Sequence, residues 1–212
     1  MTTITTVGIL GAGKLGVTLA QLALARGYKV YIAGSGSPNK IALSTKIITP
    51  GAMAVTGKEA IERADVVILA LPLRKLSGID PTLFADKLVI DAMNYWPEVD
   101  GAPIDDITGA TTSTERVQKY LADATVVKGL NHMAYHDLRD ESRQDNSAGR
   151  KAIAVAGDDT NAVKTVMHFI DMLGFDPLYI GQLKESRILE TGQPGFGANL
   201  TRTELESLLL GT

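Results

Sequence analysis

Gly11, Gly13 and Gly16 fall in the run Val7-Gly8-Ile9-Leu10-Gly11-Ala12-Gly13-Lys14-Leu15-Gly16, a G-x-G-x-x-G spacing that follows an apolar strand-like stretch. Each glycine meets a separate physical demand. Gly11 allows a tight turn, Gly13 lets a bulky anion approach the backbone, and Gly16 lets a helix pack closely on the preceding strand. The first amides of that helix have no partner within it, and with the helix dipole they favour a pyrophosphate. Gly11, Ala12, Gly13, Lys14, Leu15 and Gly16 are therefore the expected phosphate contacts of a dinucleotide. In a site for NAD the second strand commonly ends in Asp or Glu, which accepts from the ribose hydroxyls. Here it ends Tyr31-Ile32-Ala33-Gly34 and continues Ser35-Gly36-Ser37-Pro38-Asn39-Lys40, without an acid. Ser35, Ser37, the backbone at Gly36 and the Lys40 ammonium suit a 2′-phosphate, so the expected nucleotide is NADP(H). Lys40 would act as a point charge rather than a bidentate clamp.

In a doubly wound sheet ligands gather beyond the carboxyl ends of the strands. That rule brings Ala70, Leu71, Pro72 and Leu73 into one crevice with Asp91–Trp96 and Leu130–Tyr135. Asn94 is expected to line the cofactor, and Asn131 and His132 are the candidate catalytic groups. Tyr95 and Trp96 could stack on a flat ring or anchor their own loop to the core. His132 and His136 are four residues apart, with Asp137 and Glu141 following, which raises a metal site. The glutamate of His-Glu-x-x-His is missing and the pair sits at a strand exit, so no metal is expected. His168 lies in an apolar helix and reads as structural. No nucleophile constellation stands out. Hydride transfer between two rings needs positioning and the exclusion of water more than an acid or a base.

The elements that must position these residues alternate along the chain. Strands are expected at Thr6–Leu10, Lys29–Ala33, Asp65–Leu71, Lys87–Asp91, Ala124–Lys128, Lys151–Ala156 and Pro177–Ile180, with a weaker one at Ala52–Val55. Their near-continuous Val, Ile, Leu and Ala suit a sheet covered on both faces. Helices are expected at Lys14–Arg26, Lys58–Ala64, Thr112–Leu121, Asp159–Leu173 and Asn199–Leu210, and another begins near Lys40. Met93–Thr112 and the charged stretch Ala134–Arg150 read as long loops. The fold class is α/β, a Rossmann-type doubly wound parallel sheet with a small C-terminal helical part. Residues 1–180 form the nucleotide-binding domain and 181–212 the C-terminal region. Leu200, Leu205, Leu208 and Leu209 make an apolar face that is expected to form a homodimer interface or to cover the sheet edge.

Composition narrows the function. The 212 residues are 45% hydrophobic and 21% charged with a net charge of −3, which gives no basic surface for nucleic acid. Cysteine is absent, which removes disulfides, thiolate metal sites and a cysteine nucleophile. Met1–Thr6 lacks the pattern of a signal peptide, and the longest apolar run, Val66 to Leu73, is far short of a membrane span. A cytoplasmic protein without a membrane or nucleic-acid partner is expected.

The glycine turn, the Gly34-Ser35 segment and Lys40 resemble the NADPH-dependent reductases of the deazaflavin coenzyme F420. So do Leu69-Ala70-Leu71-Pro72-Leu73, Val126-Val127-Lys128-Gly129-Leu130-Asn131, Ala156-Gly157-Asp158-Asp159 and Gly174-Phe175-Asp176-Pro177, in order and over nearly the whole chain. The resemblance implies a deazaflavin stacked over the nicotinamide between the Rossmann domain and a small C-terminal part. It places Ser35 and Lys40 near the 2′-phosphate and Leu71, Pro72 and Leu73 under the nicotinamide ribose. Some members carry an arginine where this chain has Gly36, and some a histidine at the place of Asn131, where this chain has its histidine one residue later. The implied activity is hydride transfer between NADPH and a deazaflavin or flavin. Two alternatives stay open: a reductase of a small imine or carbonyl compound, with His132 or Tyr135 as proton donor, and an NADP(H)-sensing protein without catalysis.

Overall fold

Val7, Gly8, Ile9 and Leu10 carry no side chain that needs water, and they form the buried strand β1 (Thr6–Leu10) in the interior of the sheet. The computed structural model describes residues 3–101, 111–145 and 147–211. α1 (Lys14–Ala25) buries Leu19, Leu22 and Ala23 along one stripe, and Gly27 at φ +82° turns the chain into β2 (Lys29–Ala33). α2 (Asn39–Ile48) leads to the two-residue β3 (Met53–Ala54). α3 (Gly57–Arg63) starts on a capping box: Thr56 accepts from the Glu59 amide while Glu59 accepts from the Thr56 amide. β4 (Val66–Leu69) is shorter than its apolar run, because Pro72 starts the 3₁₀ turn Leu73–Gly78.

β5 (Leu88–Asp91), α4 (Pro97–Asp100), α5 (Ser113–Tyr120) and β6 (Thr125–Lys128) follow. The Met93–Thr112 stretch, read as a loop, holds α4 in its first part, and its residues 102–110, Pro103 and Gly109 among them, lie outside the described residues. α6 (Tyr135–Glu141) forms inside the charged stretch that was also expected to be a loop; it is held by one buried side chain, Leu138. β7 (Ala152–Gly157), α7 (Thr160–Leu173), β8 (Asp176–Gly181), the 3₁₀ segment Leu183–Leu189 and α8 (Arg202–Leu210) complete the chain. His168 is exposed on α7 rather than packed in the core.

The sheet runs β3-β2-β1-β4-β5-β6-β7-β8. The first six strands are parallel, and β7 and β8 are parallel to each other but reversed, because β6 and β7 pair antiparallel. That pairing is staggered. Val127 faces Gly157 and Lys128 faces Ala156, so the earlier residues of β7 run beside the segment that leaves β6, up to the bond between His132 and Ala154. The reversed strands thus rise past the carboxyl ends of their neighbours.

Alternation along the strands divides the core. Val7, Ile9, Val66, Ile68, Ile153 and Val155 pack with Leu19, Leu138 and Phe169 on one face; Leu10, Val67, Leu69 and Val89 pack with Ile61, Phe84 and Val117 on the other. On β7 the intervening residues are Ala152, Ala154 and Ala156, small enough to let the C-terminal segment lie close. Leu189, Leu205 and Leu209 fill that space, at 0%, 0% and 9% exposure. Of the two expectations for the C-terminal face, this burial matches the covering of the sheet: Leu205 and Leu209 pack inside the chain, and Leu208 alone of the four stays largely exposed, at 43%.

Candidate functional site

The phosphate turn is built by contact with its neighbours. The Gly11 amide donates to the Ala33 carbonyl at the end of β2, 2.8 Å away, and its φ of +122° favours glycine. A Cβ on Gly11 would run into the Ala70 carbonyl, and one on Gly16 would overlap the Gly11 carbonyl. Gly13 differs: it stands at the N-cap of α1, and a Cβ there would meet nothing within 4 Å. No side chain caps this helix and no acid lies in its first turn, so its leading amides open onto free space. Gly13 and Lys14 are exposed, Ala12 and Leu15 half-buried, and Gly16 is buried. Lys14 Nζ sits 5.3 Å from the centre of the Tyr135 ring, which brings the start of α6 beside the start of α1.

The segment after β2 lies next to this turn. Gly34 is half-buried over Ile41, whereas Ser35, Gly36 and Ser37 are exposed. Ser37 Oγ accepts from the Asn39 amide at 3.3 Å. Lys40 folds its ammonium back over Gly36, 3.5 Å from where a Cβ would stand. Gly36 has φ +85°, so an arginine there would be strained and would meet the ammonium already in place. The first turn of α2 carries no acid. Two hydroxyls, one ammonium and free main chain thus share a short arc.

Beyond β4, the Ala70 amide donates to the Leu10 carbonyl at 2.8 Å, which binds the end of β4 to the phosphate turn. Ala70, Leu71 and Leu73 are half-buried and Pro72 is exposed beside it. Beyond β5 and β6 lies a polar network that composition and spacing gave no reason to expect. Asp91 and Lys128, register partners in the sheet, form a buried ion pair of 3.1 Å. Asp91 also accepts from the Met93 amide and the Thr114 hydroxyl, and Lys128 donates to the Met93 carbonyl. Next to it Asn94 and Asn131 bind each other: Asn94 Nδ2 donates to the Asn131 carbonyl at 2.9 Å, and Asn131 Nδ2 donates to Asn94 Oδ1 at 3.0 Å and to the Leu189 carbonyl at 3.1 Å. Leu130, fully buried at φ +62°, makes the bend that delivers Asn131. Asn94 and Asn131 are brought together as the crevice reading requires, but Asn131 is 4% exposed and bonded to main chain as much as to Asn94.

His132 does not face the crevice as a catalytic group. It is 1% exposed, and its Nε2 accepts from the Ala154 amide of β7 at 3.0 Å. Acceptance at Nε2 puts the ring proton on Nδ1, which lies by the Ala198 main chain without reaching hydrogen-bond geometry. Burial lowers its pKa to about 4, against a small upward pull from Ala198, so the ring is neutral and serves to pin the reversed strands. His136 is exposed and pairs with Asp137 at 3.6 Å, so the two histidines do not converge. Tyr95 and Trp96 anchor their loop. Tyr95 Oη donates to Gly101, Thr191 binds the Tyr95 carbonyl, and Trp96 meets Phe196 edge-on at 5.4 Å. Clefts around Arg26–Met172 and around Arg150 share no residue with this region.

A glycine turn at the first helix, an acid-free arc with Lys40 after β2 and a crevice across the strand ends define the class: a Rossmann-type fold with the features of a dinucleotide site. Residues 6–95 match the family described as NADP oxidoreductase, coenzyme F420-dependent. It is 30% identical to a hypothetical protein of Sinorhizobium meliloti whose solved structure superposes with a TM-score of 0.80, covering 94% of this chain and 96% of that one. A protein of an Arthrobacter species, provisionally named an F420-dependent NADP-reductase, is 22% identical with a TM-score of 0.71, over 87% of this chain and 88% of that one, and shares the fold. Among curated proteins, metalloreductase STEAP3 of Rattus norvegicus is 27% identical over 197 residues, 87% of this chain; the chain spans 35% of that relative's length. Among the described residues no helix is long and apolar enough to cross a membrane.

Proposed function

We propose that this chain binds NADP(H) along the arc from Ser35 and Lys40 through Gly11–Gly16 to Asn94, and passes hydride between the nicotinamide and a deazaflavin or flavin laid over the crevice. NADPH, when bound, supplies the hydride from its dihydropyridine ring. The chain contributes the rest. Helix amides at Gly13–Gly16 and the Lys14 ammonium hold the pyrophosphate, Ser35, Ser37 and Lys40 take the 2′-phosphate, and Ala70–Leu73 form the apolar rest under the ribose. Residues 1–180 act as the nucleotide-binding unit, and 181–212 wall the crevice.

The observation that carries the acceptor reading is the state of His132. The one imidazole beside the crevice is buried, neutral and committed to main chain. Ring-to-ring hydride transfer needs no side-chain acid, whereas reduction of an imine or carbonyl needs a proton donor. Tyr135, half-buried under Lys14, is the group that would serve the second reaction. NADPH oxidation followed with a deazaflavin, with riboflavin phosphate, with a cyclic imine and with no acceptor separates the readings. Turnover with either flavin type supports the proposal. Turnover with the imine alone, abolished by Tyr135→Phe, replaces it, and tight NADPH binding without any turnover leaves a sensor.

A further inference from the structure

Asp91 and Lys128 pose a physical question that nucleotide binding does not answer. Both side chains are 1% exposed, and an ion pair so placed gives up the hydration of two charges. Their attraction repays that loss only with near-ideal geometry, and a well-packed apolar pair of the same volume is often equally stable. An apolar pair cannot, however, hold main-chain atoms. Here Asp91 Oδ1 accepts from Met93 N–H at 3.0 Å and Lys128 Nζ donates to Met93 C=O at 2.6 Å, so both polar atoms of one peptide residue are clamped. Thr114, 0% exposed, fixes the carboxylate from α5 through a 2.8 Å bond to Oδ2. The residue after Met93 is Asn94, whose amide pairs with Asn131, and Asn131 in turn holds the Leu189 carbonyl of the C-terminal segment. One buried cluster therefore sets three elements around the crevice: the loop after β5, the loop after β6 and the reversed wall.

We infer that Asp91, Lys128 and Thr114 are positioning residues for the nicotinamide end of the nucleotide: by clamping Met93 they hold Asn94 and Asn131 at the height the dihydronicotinamide ring requires. The inference rests on the crevice being the nicotinamide site. It adds that the chain carries a charged pair there for geometry, not for proton transfer, and that the phosphate end is independent of it, since the phosphate turn is tied to Ala33, Leu10 and Ala70 instead.

The test compares two ligands on the full chain by calorimetry: NADPH, and 2′-phospho-ADP-ribose, which is the same molecule without the nicotinamide. The ratio of their Kd values measures what the nicotinamide end contributes. In Asp91→Leu/Lys128→Met, which swaps the pair for apolar side chains of similar size, the chain should fold but unfold at lower urea than the parent, because the Met93 N–H and C=O and the Thr114 hydroxyl lose their partners; the phospho-ADP-ribose Kd should stay unchanged, and the ratio should drop on the order of tenfold, the effect of misplacing contacts by a fraction of an ångström. An unchanged ratio in a folded double variant overturns the inference. If the double variant does not fold, Thr114→Val decides, because it keeps the ion pair and removes one bond to Asp91. Its ratio should drop about two- to threefold with stability near the parent, in keeping with one lost hydrogen bond made indirectly; no drop overturns the inference. A ratio of one in the parent itself would instead remove the nicotinamide from the crevice, and with it both this inference and the site reading beneath it.

Discussion

Lowering the pH from 7 to 5 should destabilise this protein through one residue, His132. In the folded chain its ring is neutral, with a pKa of about 4 set first by burial, while in the unfolded chain it returns to an ordinary value near 6.5. Between those two values the unfolded state binds a proton that the folded state refuses, so stability is full above the unfolded pKa and falls as the pH drops towards 4. The whole window is worth about 3 kcal/mol, and the step from pH 7 to pH 5 about 2 kcal/mol. Carboxylates act lower down. Glu59 and Glu204 are held below their usual range by bonds from the Thr56 and Thr201 main chain and hydroxyls, so their contribution is lost only below about pH 4.3. His132→Gln can still accept from the Ala154 amide but cannot titrate. Urea unfolding of parent and variant at both pH values gives the difference directly. A pH-dependent loss equal in the two proteins would refute both the buried neutral ring and its role as a structural pin.

Three further outcomes follow from the same geometry. Gly13→Val should fold as the parent by circular dichroism, because open space surrounds its Cβ and its φ of −83° is ordinary, yet it should bind NADPH at least about a hundredfold more weakly; undiminished binding displaces the pyrophosphate from the turn. Lys40→Ala should weaken NADPH about fivefold and leave NADH nearly unchanged, with the loss shrinking as salt rises, in titrations of both nucleotides; equal losses would disconnect Lys40 from the 2′-phosphate. Leu205→Asp buries an unpaired charge against the β7 alanines and should cost about 4 kcal/mol in urea unfolding, whereas a folded monomer of unchanged stability would return that face to an interface.

Legibility in the sequence followed how local each signal is. β1 and β2 match the residues from which they were expected, because continuous apolar runs bounded by glycine admit little else. The glycine turn was readable because its spacing alone marks a strand end, a tight turn and a helix start, although the atoms that crowd Gly11, at Ala33 and Ala70, are distant in the chain. α6 was not readable: Tyr135–Glu141 offers one buried leucine, and its helical state comes from packing along α1. Strand direction is absent from residue types, so the reversal at β7 had no signal in Lys151–Ala156. Asp91 and Lys128 are 37 residues apart and each looks like a polar strand end; the β5–β6 register alone joins them. His132 looked catalytic because a histidine after a strand and before a cleft resembles a proton carrier. The stagger that slides β7 alongside it could have been found only from the pairing.

That stagger has a consequence for the order in which the protein comes into being. From β4 onwards each new strand is laid beside the one before it, so the sheet grows outwards in the direction of synthesis. Domains emerging from the ribosome organise their N-terminal parts first. The main-chain bonds that shape the phosphate turn, to Ala33 and between Leu10 and Ala70, lie within the first third of the chain. The partners that complete the other end of the crevice, Ala154 for His132 and Leu189 for Asn131, emerge only with its last third. A chain stopped at Gly181 would therefore keep the phosphate turn and lose the carbonyl that holds Asn131, separating the part proposed to take the phosphates from the part proposed to meet the ring.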